Sequence, residues 1–191
     1  MAVIRNLSYC ADQVRRFDHD RYLSALFVPS ARREAVFALY AFNLEVAKTR
    51  EMVSETMLGQ IRLQWWREAL EGIYKGETRA HPVVEALTGA VAAADLSLEL
   101  FRRLIDAREQ DLDDAPPVDL ETLERYAEGT SGVLLQLVQQ VLGHRQGPAH
   151  EAARRVGVAW SLTGLLRAVA FHARAKRQYL PRDMLDELGV R

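Results

Sequence analysis

Apolar side chains recur at three- and four-residue spacing along nearly the whole chain, and this periodicity constrains the fold more than any other feature. In one segment Val36, Phe37, Tyr40, Leu44 and Ala47 fall on one side of a helix with about 3.6 residues per turn. No run of alternating β-branched residues is long enough to predict a strand. The sequence therefore predicts an all-α protein.

Capping residues and helix breakers divide this pattern into eight predicted helices. They cover approximately residues 7–27, 30–47, 55–75, 82–94, 98–111, 120–142 and 148–173, and a short segment that starts at Pro181. Ser30, Ser54 and Ser97 are predicted N-caps, because a serine oxygen can accept from the free amides of a first turn. The sixth helix is expected to follow Asp119, and Gly76 to end the third.

The third predicted helix carries two adjacent tryptophans, Trp65 and Trp66, which lie about 100° apart around its axis. Both side chains therefore cannot point the same way. The predicted core stripe consists of Leu58, Ile61, Trp65, Ala69 and Ile73. We accordingly expect Trp65 in the core and Trp66 against a neighbouring helix or the edge of a cavity.

Two glycines, Gly129 and Gly132, fall inside the sixth predicted helix. A glycine in a helix interior costs about 1 kcal/mol relative to alanine. Their presence predicts a kink or a close contact with another helix.

Length and composition limit the classes of protein to which the chain can belong. The 191 residues, 49% of them hydrophobic, suit one domain spanning residues 1–191. A formal net charge of -1 argues against a dedicated nucleic-acid binder. The single cysteine, Cys10, excludes an internal disulfide and favours a reducing, cytoplasmic compartment. Residues 1–6 show no signal-peptide pattern, and no segment has the ~20 apolar residues of a spanning helix.

Charge is unevenly distributed along the chain. The segment from Glu99 to Glu128 has ten acidic and four basic residues, whereas that from Glu151 to Arg182 has seven basic and one acidic. Complementary solvated faces are one interpretation. The other is that the basic segment contacts an anionic ligand, an acidic partner or a lipid surface.

Few residues carry an obvious chemistry. The run Asp111-Leu112-Asp113-Asp114 offers carboxylates of the kind that bind Mg²⁺, but acidic residues at a helix end beside a Pro-Pro loop are ordinarily solvent-facing. The five histidines form no pair with metal-ligand spacing, and there is neither a Gly-rich phosphate loop nor a nucleophile elbow. We predict no metal site and no catalytic residue from these features.

A series of short motifs is more specific. In chain order they are residues 30–42 (SARREAVFALYAF), Trp66-Arg67-Glu68-Ala69-Leu70, His81-Pro82-Val83, Asp111-Leu112, Tyr126-Ala127-Glu128, Gly164-Leu165-Leu166-Arg167 and Arg177-Gln178-Tyr179-Leu180-Pro181. Their order and spacing, over about residues 18–185, resemble the squalene/phytoene synthase family. The resemblance implies an isoprenoid-synthase-like helical bundle around a central cavity, lacking the family's C-terminal helices. Either the chain is a fragment, or self-association into a homo-oligomer covers its apolar helices.

The resemblance also locates the positions that bind metal in active members. Those enzymes ionise a prenyl diphosphate and hold the leaving group through Mg²⁺ bound to two aspartate-rich motifs. At the first motif this chain reads NLEVAKTRE over residues 43–51, where Glu51 keeps an acid and Lys48 reverses the charge. At the second, Ala168, Phe171 and His172 stand where carboxylates are expected. The resemblance therefore implies a protein that is not an enzyme and needs no cofactor.

Residues 18–29, 42–47 and 126–130 resemble a divergent branch that contains the mitochondrial assembly factor of respiratory complex I and its bacterial relatives. This implies a non-catalytic role in assembly of complex I (NADH:quinone oxidoreductase), through contact with an assembly intermediate or the membrane surface. The expected location is cytoplasmic and peripheral at the inner membrane. A role in binding lipid or another partner is also open. The alternative is a prenyltransferase with an atypical site, which would use prenyl diphosphates and Mg²⁺.

Five residues are candidates for the cavity and for anion binding: Tyr40, Asn43, Lys48, Arg167 and Tyr179. The resemblance places Lys48, Arg167 and Tyr179 where metal-bound diphosphate is held in the family. Two cations and a phenol would suit a prenyl phosphate, an anionic lipid or a carboxylate without any metal. The alternative is that Lys48 pairs with a glutamate of its own helix, Glu45 or Glu51.

Overall fold

Twelve α-helices make up residues 7–190, the part of the chain that the computed structural model describes. They are α1 (Tyr9–Phe17), α2 (His19–Leu26), α3 (Ser30–Ala47), α4 (Thr49–Met52), α5 (Thr56–Lys75), α6 (Pro82–Ala94), α7 (Leu98–Glu109), α8 (Leu120–Ala127), α9 (Val133–Val141), α10 (Pro148–Arg167), α11 (Val169–Arg174) and α12 (Arg182–Glu187). No strand occurs in this range, which confirms the all-α prediction. Residues 1–6, which show no signal-peptide pattern in the sequence, lie outside the described residues, as does residue 191. Within them, no helix combines the length and apolar character needed to cross a bilayer.

Helix α3 is the centre of the core. Every residue from 36 to 43 is buried, because α3 packs against α1, α2, α6, α7 and α9. The ring of Phe42 meets Trp66 and Phe101 edge-on, with centroid separations of 5.3 and 5.4 Å. Edge-to-face pairs of this kind stabilise a core beyond the area they bury. These contacts tie α3 to α5 and α7.

The prediction of a single first helix over residues 7–27 is wrong. The segment forms two helices, α1 and α2, which are separated at Asp18. The backbone of Asp18 leaves the helical region, with φ -147° and ψ 71°, and its carboxylate accepts from the Arg21 amide at 3.2 Å. The same carboxylate pairs with the Arg21 guanidinium at 2.5 Å. Capping by a short acidic side chain thus competes with continuation of the helix.

Two of the predicted helix starts are confirmed. The Ser97 hydroxyl accepts from the Leu100 amide at 3.4 Å, so Ser97 caps α7. Asp119 caps α8 by accepting from the Thr122 amide at 2.8 Å. Gly76 ends α5 with φ 83°, as predicted, since glycine tolerates this left-handed conformation.

The other two predicted caps are wrong. Ser30 is already the first helical residue of α3, and Pro29, whose ψ of 135° is not helical, is at the cap position. Ser54 precedes the N-cap of α5, which is Glu55. The short helix α4 ends at Met52, and the extended backbone of Val53 and Glu55 lies between it and α5.

Helix α5 buries a face that matches the predicted stripe only in part, since Ala69 and Ile73 are buried as predicted. The buried residues are Gly59, Leu63, Trp66, Ala69, Leu70 and Ile73. Leu58 and Ile61 of the predicted stripe are exposed, and Trp65 is only partly buried. The expectation that Trp65, rather than Trp66, enters the core is therefore wrong. Two apolar stripes lie side by side on this helix, and contact with Phe42 and α7 selects the one that contains Trp66.

The close contact predicted at the internal glycines is confirmed. Helices α8 and α9 are joined by a π-helical turn, Glu128–Gly132, lying between α7 and α10. A Cβ atom on Gly129 would lie 2.7 Å from the Cβ of Ala107 in α7. From the other side, a Cβ on Gly157 of α10 would lie 2.6 Å from the Cα of Gly132. The backbones approach this closely because the side chains are missing.

The seventh predicted helix, residues 148–173, is interrupted at Ala168 and forms α10 and α11. Although α10 has 20 residues, Ala153 and Gly157 are the buried ones. Its contact with the core therefore involves small residues, and large side chains such as Val156 and Trp160 remain exposed.

The contact of α10 with the π-helical turn predicts that Gly157→Ala lowers the free energy of unfolding by about 1–3 kcal/mol, because the added methyl overpacks the backbone of residues 131 and 132. Urea denaturation followed by circular dichroism measures the change. Gly164→Ala is the matched control on the same helix, since a Cβ there meets nothing within 4 Å. The control should stabilise by about 0.5–1 kcal/mol. Equal effects of the two substitutions would contradict the close contact.

Candidate functional site

A buried carboxylate lies at the centre of the polar interior. Asp111, in the 3₁₀ turn after α7, is 4% exposed. One of its oxygens accepts hydrogen bonds from the hydroxyls of Tyr126 at 2.8 Å and Tyr179 at 2.9 Å. The other accepts from Arg108 at 3.2 Å. The interpretation of this acidic run as solvent-facing is therefore wrong for Asp111, although it holds for the exposed Asp113 and Asp114.

Four separate parts of the fold supply this cluster. Arg108 comes from α7, Tyr126 from α8 and Tyr179 from the segment between α11 and α12. Asn43 of α3 completes it, because its side-chain oxygen accepts from Arg108 at 3.4 Å. Arg108 also donates to the Tyr126 hydroxyl at 2.8 Å. We call Asn43, Arg108, Asp111, Tyr126 and Tyr179 the Asp111 cluster.

The electrostatics of the cluster keep its tyrosines protonated. Burial raises the pKa of Tyr126 well above its usual value, and burial together with Asp111 raises the pKa of Tyr179. Burial alone would lower the pKa of Arg108, but Tyr126 and Asp111 outweigh it and the pKa is raised. The cluster therefore contains one cation, one carboxylate and two neutral phenols that donate. Both carboxylate oxygens and both phenols have partners within the cluster, while the Nε of Arg108 is buried without a hydrogen-bond partner among the described residues. A network satisfied to this extent favours rigidity over binding of a further ion.

Two residues cover the cluster on its outer side. Arg177 donates to the backbone carbonyl of Asp111. The ring of His172 lies 4.6 Å from the ring of Tyr179, centroid to centroid. Burial, and then the charge of Arg177, lower the pKa of His172 below its usual 6.5. The adjoining cavity has a volume of about 50 Å³, which suits a few water molecules rather than a prenyl diphosphate.

Three of the five candidate residues predicted from sequence face the interior. Asn43 and Tyr179 are brought together through Arg108 and Asp111. Tyr40 is buried one turn earlier on α3, where the guanidinium of Arg21 lies 5.9 Å from its ring centroid.

The remaining two, Lys48 and Arg167, have separate partners. The ammonium of Lys48 lies 3.2 Å from the centroid of the Phe17 ring, a cation–π contact. Arg167 is exposed and pairs with Asp20 at 3.5 Å. Joint binding of an anion by Lys48, Arg167 and Tyr179 stays a prediction.

The alternative pairing of Lys48 along its own helix is not formed. Within residues 7–190, Lys48 has no carboxylate oxygen within 4.0 Å, and Glu45 pairs instead with Arg62 of α5 at 2.6 Å. The i, i+3 spacing from Glu45 to Lys48 was sufficient for a pair. Glu45 is paired with Arg62 instead, because α5 packs beside Glu45.

Sequence reasoning did not identify three members of the Asp111 cluster as site residues: Arg108, Asp111 and Tyr126. Two signals could have found them. Asp111 and Tyr126 both belong to the ordered motifs, and Arg108 and Asp111 lie three residues apart, the spacing of a pair on one helix face. Burial of the carboxylate, however, depends on the distant residue Tyr179.

Comparison with known proteins agrees with the motif analysis. The family model described as squalene/phytoene synthase matches residues 14–191. Proteins of Bos taurus and Homo sapiens named "NADH dehydrogenase (ubiquinone) complex I, assembly factor 6" are each 36% identical over 182 residues, covering 95% of this chain and 55% of their own length. Presqualene diphosphate synthase of Sinorhizobium fredii is 26% identical over 170 residues. The match covers 88% of this chain and 60% of that protein. The chain thus spans about half the length of the curated relatives first named.

Solved structures show the same fold. Squalene synthase HpnC from Alicyclobacillus acidocaldarius superposes with a TM-score of 0.83 at 23% identity, covering 95% of this chain and 68% of that one. A dehydrosqualene synthase in complex with ligand gives a TM-score of 0.82 at 21% identity. The match covers 96% of this chain and 63% of that one. The fold class and the family resemblance predicted from the motifs are confirmed.

Removal of the central carboxylate tests the Asp111 cluster. Asp111→Ala should lower the free energy of unfolding by about 3–5 kcal/mol, because it leaves the largely buried charge of Arg108 unpaired. Asp106→Ala is the control: it breaks a more exposed pair with Arg67 and should cost at most about 1 kcal/mol. If Asp111→Ala does not fold, Tyr179→Phe measures the loss of one hydrogen bond, about 0.5–1.5 kcal/mol. If Asp111→Ala and Asp106→Ala lower the free energy of unfolding by the same amount, Asp111 does not have a central role.

The lowered pKa of His172 predicts a pH dependence of stability. The unfolded chain takes up a proton near pH 6.5 while the folded protein takes it up only at lower pH, so stability falls as the pH drops below 6.5. Free energies of unfolding at pH 7.5 and pH 5.5, chosen to lie about one unit either side of that value, measure the slope. His172→Gln should reduce it. An identical slope in wild type and variant would show that His172 does not contribute.

Proposed function

Because the chain belongs to the squalene/phytoene synthase family, we propose that it is a non-catalytic member that acts in the assembly of respiratory complex I, peripherally at the inner membrane. The main observation behind this proposal is the sequence identity of the chain to its two groups of relatives. Those named complex I assembly factor 6 reach 36% identity, whereas the presqualene diphosphate synthases reach 26% over a shorter match.

The residues at the family's metal positions support a non-catalytic role because they do not fit Mg²⁺. Lys48 brings a positive charge, which packs on Phe17, to a position where a metal ligand is expected. Ala168 and Phe171 have no ligand atom in their side chains, and the ring of His172 packs against Tyr179 at a tilt of 49°. Among residues 7–190 no three His, Cys, Asp or Glu side chains converge to hold a metal ion. Mg²⁺ prefers near-octahedral oxygen ligands, which this arrangement does not provide.

The Asp111 cluster gives independent support. Both oxygens of its carboxylate already accept from donors of the protein itself, two phenols and a guanidinium. An interior charge that is balanced by neighbouring residues stabilises one conformation. This suits a protein whose surface, rather than an internal cavity, carries the function.

Deletion of the gene in its own organism tests the proposal. We expect reduced amounts of assembled NADH:quinone oxidoreductase on native gels, unchanged squalene and carotenoid content, and recovery on expression of the complete gene. The opposite pattern, with normal complex I and altered isoprenoids, would overturn the proposal. It would favour a prenyltransferase with an atypical site.

Purified protein provides a direct test of the prenyltransferase alternative. Farnesyl diphosphate with Mg²⁺ should neither be converted nor shift the melting temperature. A ligand at a hundredfold excess over its Kd would stabilise the folded state by about 2.7 kcal/mol, a shift that is easily measured. An active presqualene diphosphate synthase serves as the positive control. Magnesium-dependent turnover by this chain would contradict the non-catalytic role.

A further inference from the structure

Helix α5 carries a second apolar stripe that the core does not use. Its members are Met57, Leu58, Ile61 and Trp65, which lie within about 100° of one another around the helix. Met57 is 66% exposed, Leu58 46% and Ile61 59%, whereas Trp65 is partly buried. Contiguous exposed apolar side chains on a folded protein mark a surface that contacts another molecule. We call these four residues the outer α5 stripe.

The outer α5 stripe lies apart from the cavity that the family resemblance implies. No residue at which the resemblance predicts a metal ligand lies on α5, and none of the five candidate residues does. Helix α10 packs against α8, α9 and the π-helical turn, whereas α5 packs against α4, α6 and α7. Leu70, on the opposite side of α5 from Ile61, is buried in the core. The stripe therefore faces away from the interior of the bundle.

A hollow lies beside the stripe. Its volume is about 360 Å³, and it is lined by Leu58, Ile61, Arg62, Trp65, Trp66 and His81. The rings of Trp66 and His81 hold the Trp65 ring at centroid separations of 5.0 and 5.5 Å, and the Arg79 guanidinium lies 5.4 Å from its centroid. A side chain that is already fixed loses little entropy on binding, and tryptophan is enriched among the residues that dominate interfaces. Projecting apolar side chains and a hollow with a fixed aromatic wall thus lie next to each other.

The charges beside the stripe are balanced within the chain. Arg62 pairs with Glu45 at 2.6 Å, and Arg79 pairs with Glu68 at 2.8 Å. Each ion pair brings one positive and one negative group to the rim, so this surface does not select a partner of either charge. Two copies of the same surface can therefore approach each other without an excess of like charge.

We propose that the outer α5 stripe is the contact of a homodimer, in which α5 of one copy packs antiparallel to α5 of the other about a twofold axis beside Ile61. A twofold contact uses the same patch on both copies, so the patch must be complementary to itself. Ile61 then lies beside Ile61 of the second copy, and Leu58 lies opposite Trp65, where the hollow can receive it. A second copy fits better than an unrelated protein, because projecting groups, hollow and balanced charges all lie on one patch. The proposal goes beyond the proposed function and does not rest on it.

Analytical ultracentrifugation of the complete gene product tests the proposal. We expect a dimer whose fraction falls on dilution. Ile61→Glu should raise the Kd of the dimer about a hundredfold, because loss of one central apolar contact costs about tenfold and a symmetric contact contains it twice. Circular dichroism should show unchanged folding, since Ile61 is largely exposed. Phe27→Glu is the matched control, because it replaces an apolar side chain that is 92% exposed after α2, and it should leave the Kd unchanged.

Two further variants test whether Ile61 faces its counterpart. Ile61→Lys should dissociate the dimer as Ile61→Glu does, and an equimolar mixture of the two variants should recover it, because opposite charges then meet at the axis. A folding defect would not give this recovery. Ile61→Cys should form a disulfide-linked dimer on air oxidation with copper phenanthroline, since the natural Cys10 is buried. Phe27→Cys should not.

A complete gene product that stays monomeric at every concentration would overturn the proposal, as would a dimer that Ile61→Glu leaves intact. A monomer whose Ile61→Glu variant fails to restore complex I in the deletion strain would show that the stripe contacts another protein, and would also overturn it. The result is separable from the proposed function, because the dimer is measured on purified protein. A dimer together with normal complex I in the deletion strain would remove only the assembly role.

Discussion

The largely buried charge of Arg108 sets a condition that several parts of the molecule must satisfy together. An isolated cation with so little exposure would cost several kcal/mol, so it is stable only when Asp111, Tyr126 and Asn43 surround it. Tyr179, which follows α11 in the chain, must then lie beside Asp111 to complete the hydrogen bonds of its carboxylate. One ion pair thus joins α3, α7, α8 and the segment before α12, and makes their relative positions depend on one another.

Backbone contact imposes a second constraint, on how α10 packs. The π-helical turn lies close to both α7 and α10, because Gly129 and Gly157 have no side chain at the crossing points. Helix α10 therefore attaches through its smallest residues, Ala153 and Gly157. Its larger side chains point away from the core.

The positions at which the family resemblance predicts metal ligands can be located in the sequence, but the contacts that form there cannot. The motif resemblance places Lys48, Ala168 and Phe171 at positions where it predicts metal ligands. That Lys48 contacts Phe17 of α1, and that Arg167 contacts Asp20 of α2, depends on helices far away in the chain. Lys48 and Arg167, which the resemblance predicts at one site, contact different helices, so the position of a residue in a motif does not specify its contact.

The sequence by itself determined the helical class and the caps at Ser97 and Asp119, because periodicity and capping act within a few residues. The order of the motifs identified the family, and Gly129 and Gly132 predicted a kink or a close helix contact, because a missing side chain permits close approach. Only the tertiary structure decided that Trp66 rather than Trp65 enters the core and that Asp111 is buried. Periodicity states which side chains share a face of a helix. It does not state which of two apolar faces meets a neighbour, or which polar group finds partners from distant segments, since both depend on how all the helices pack at once.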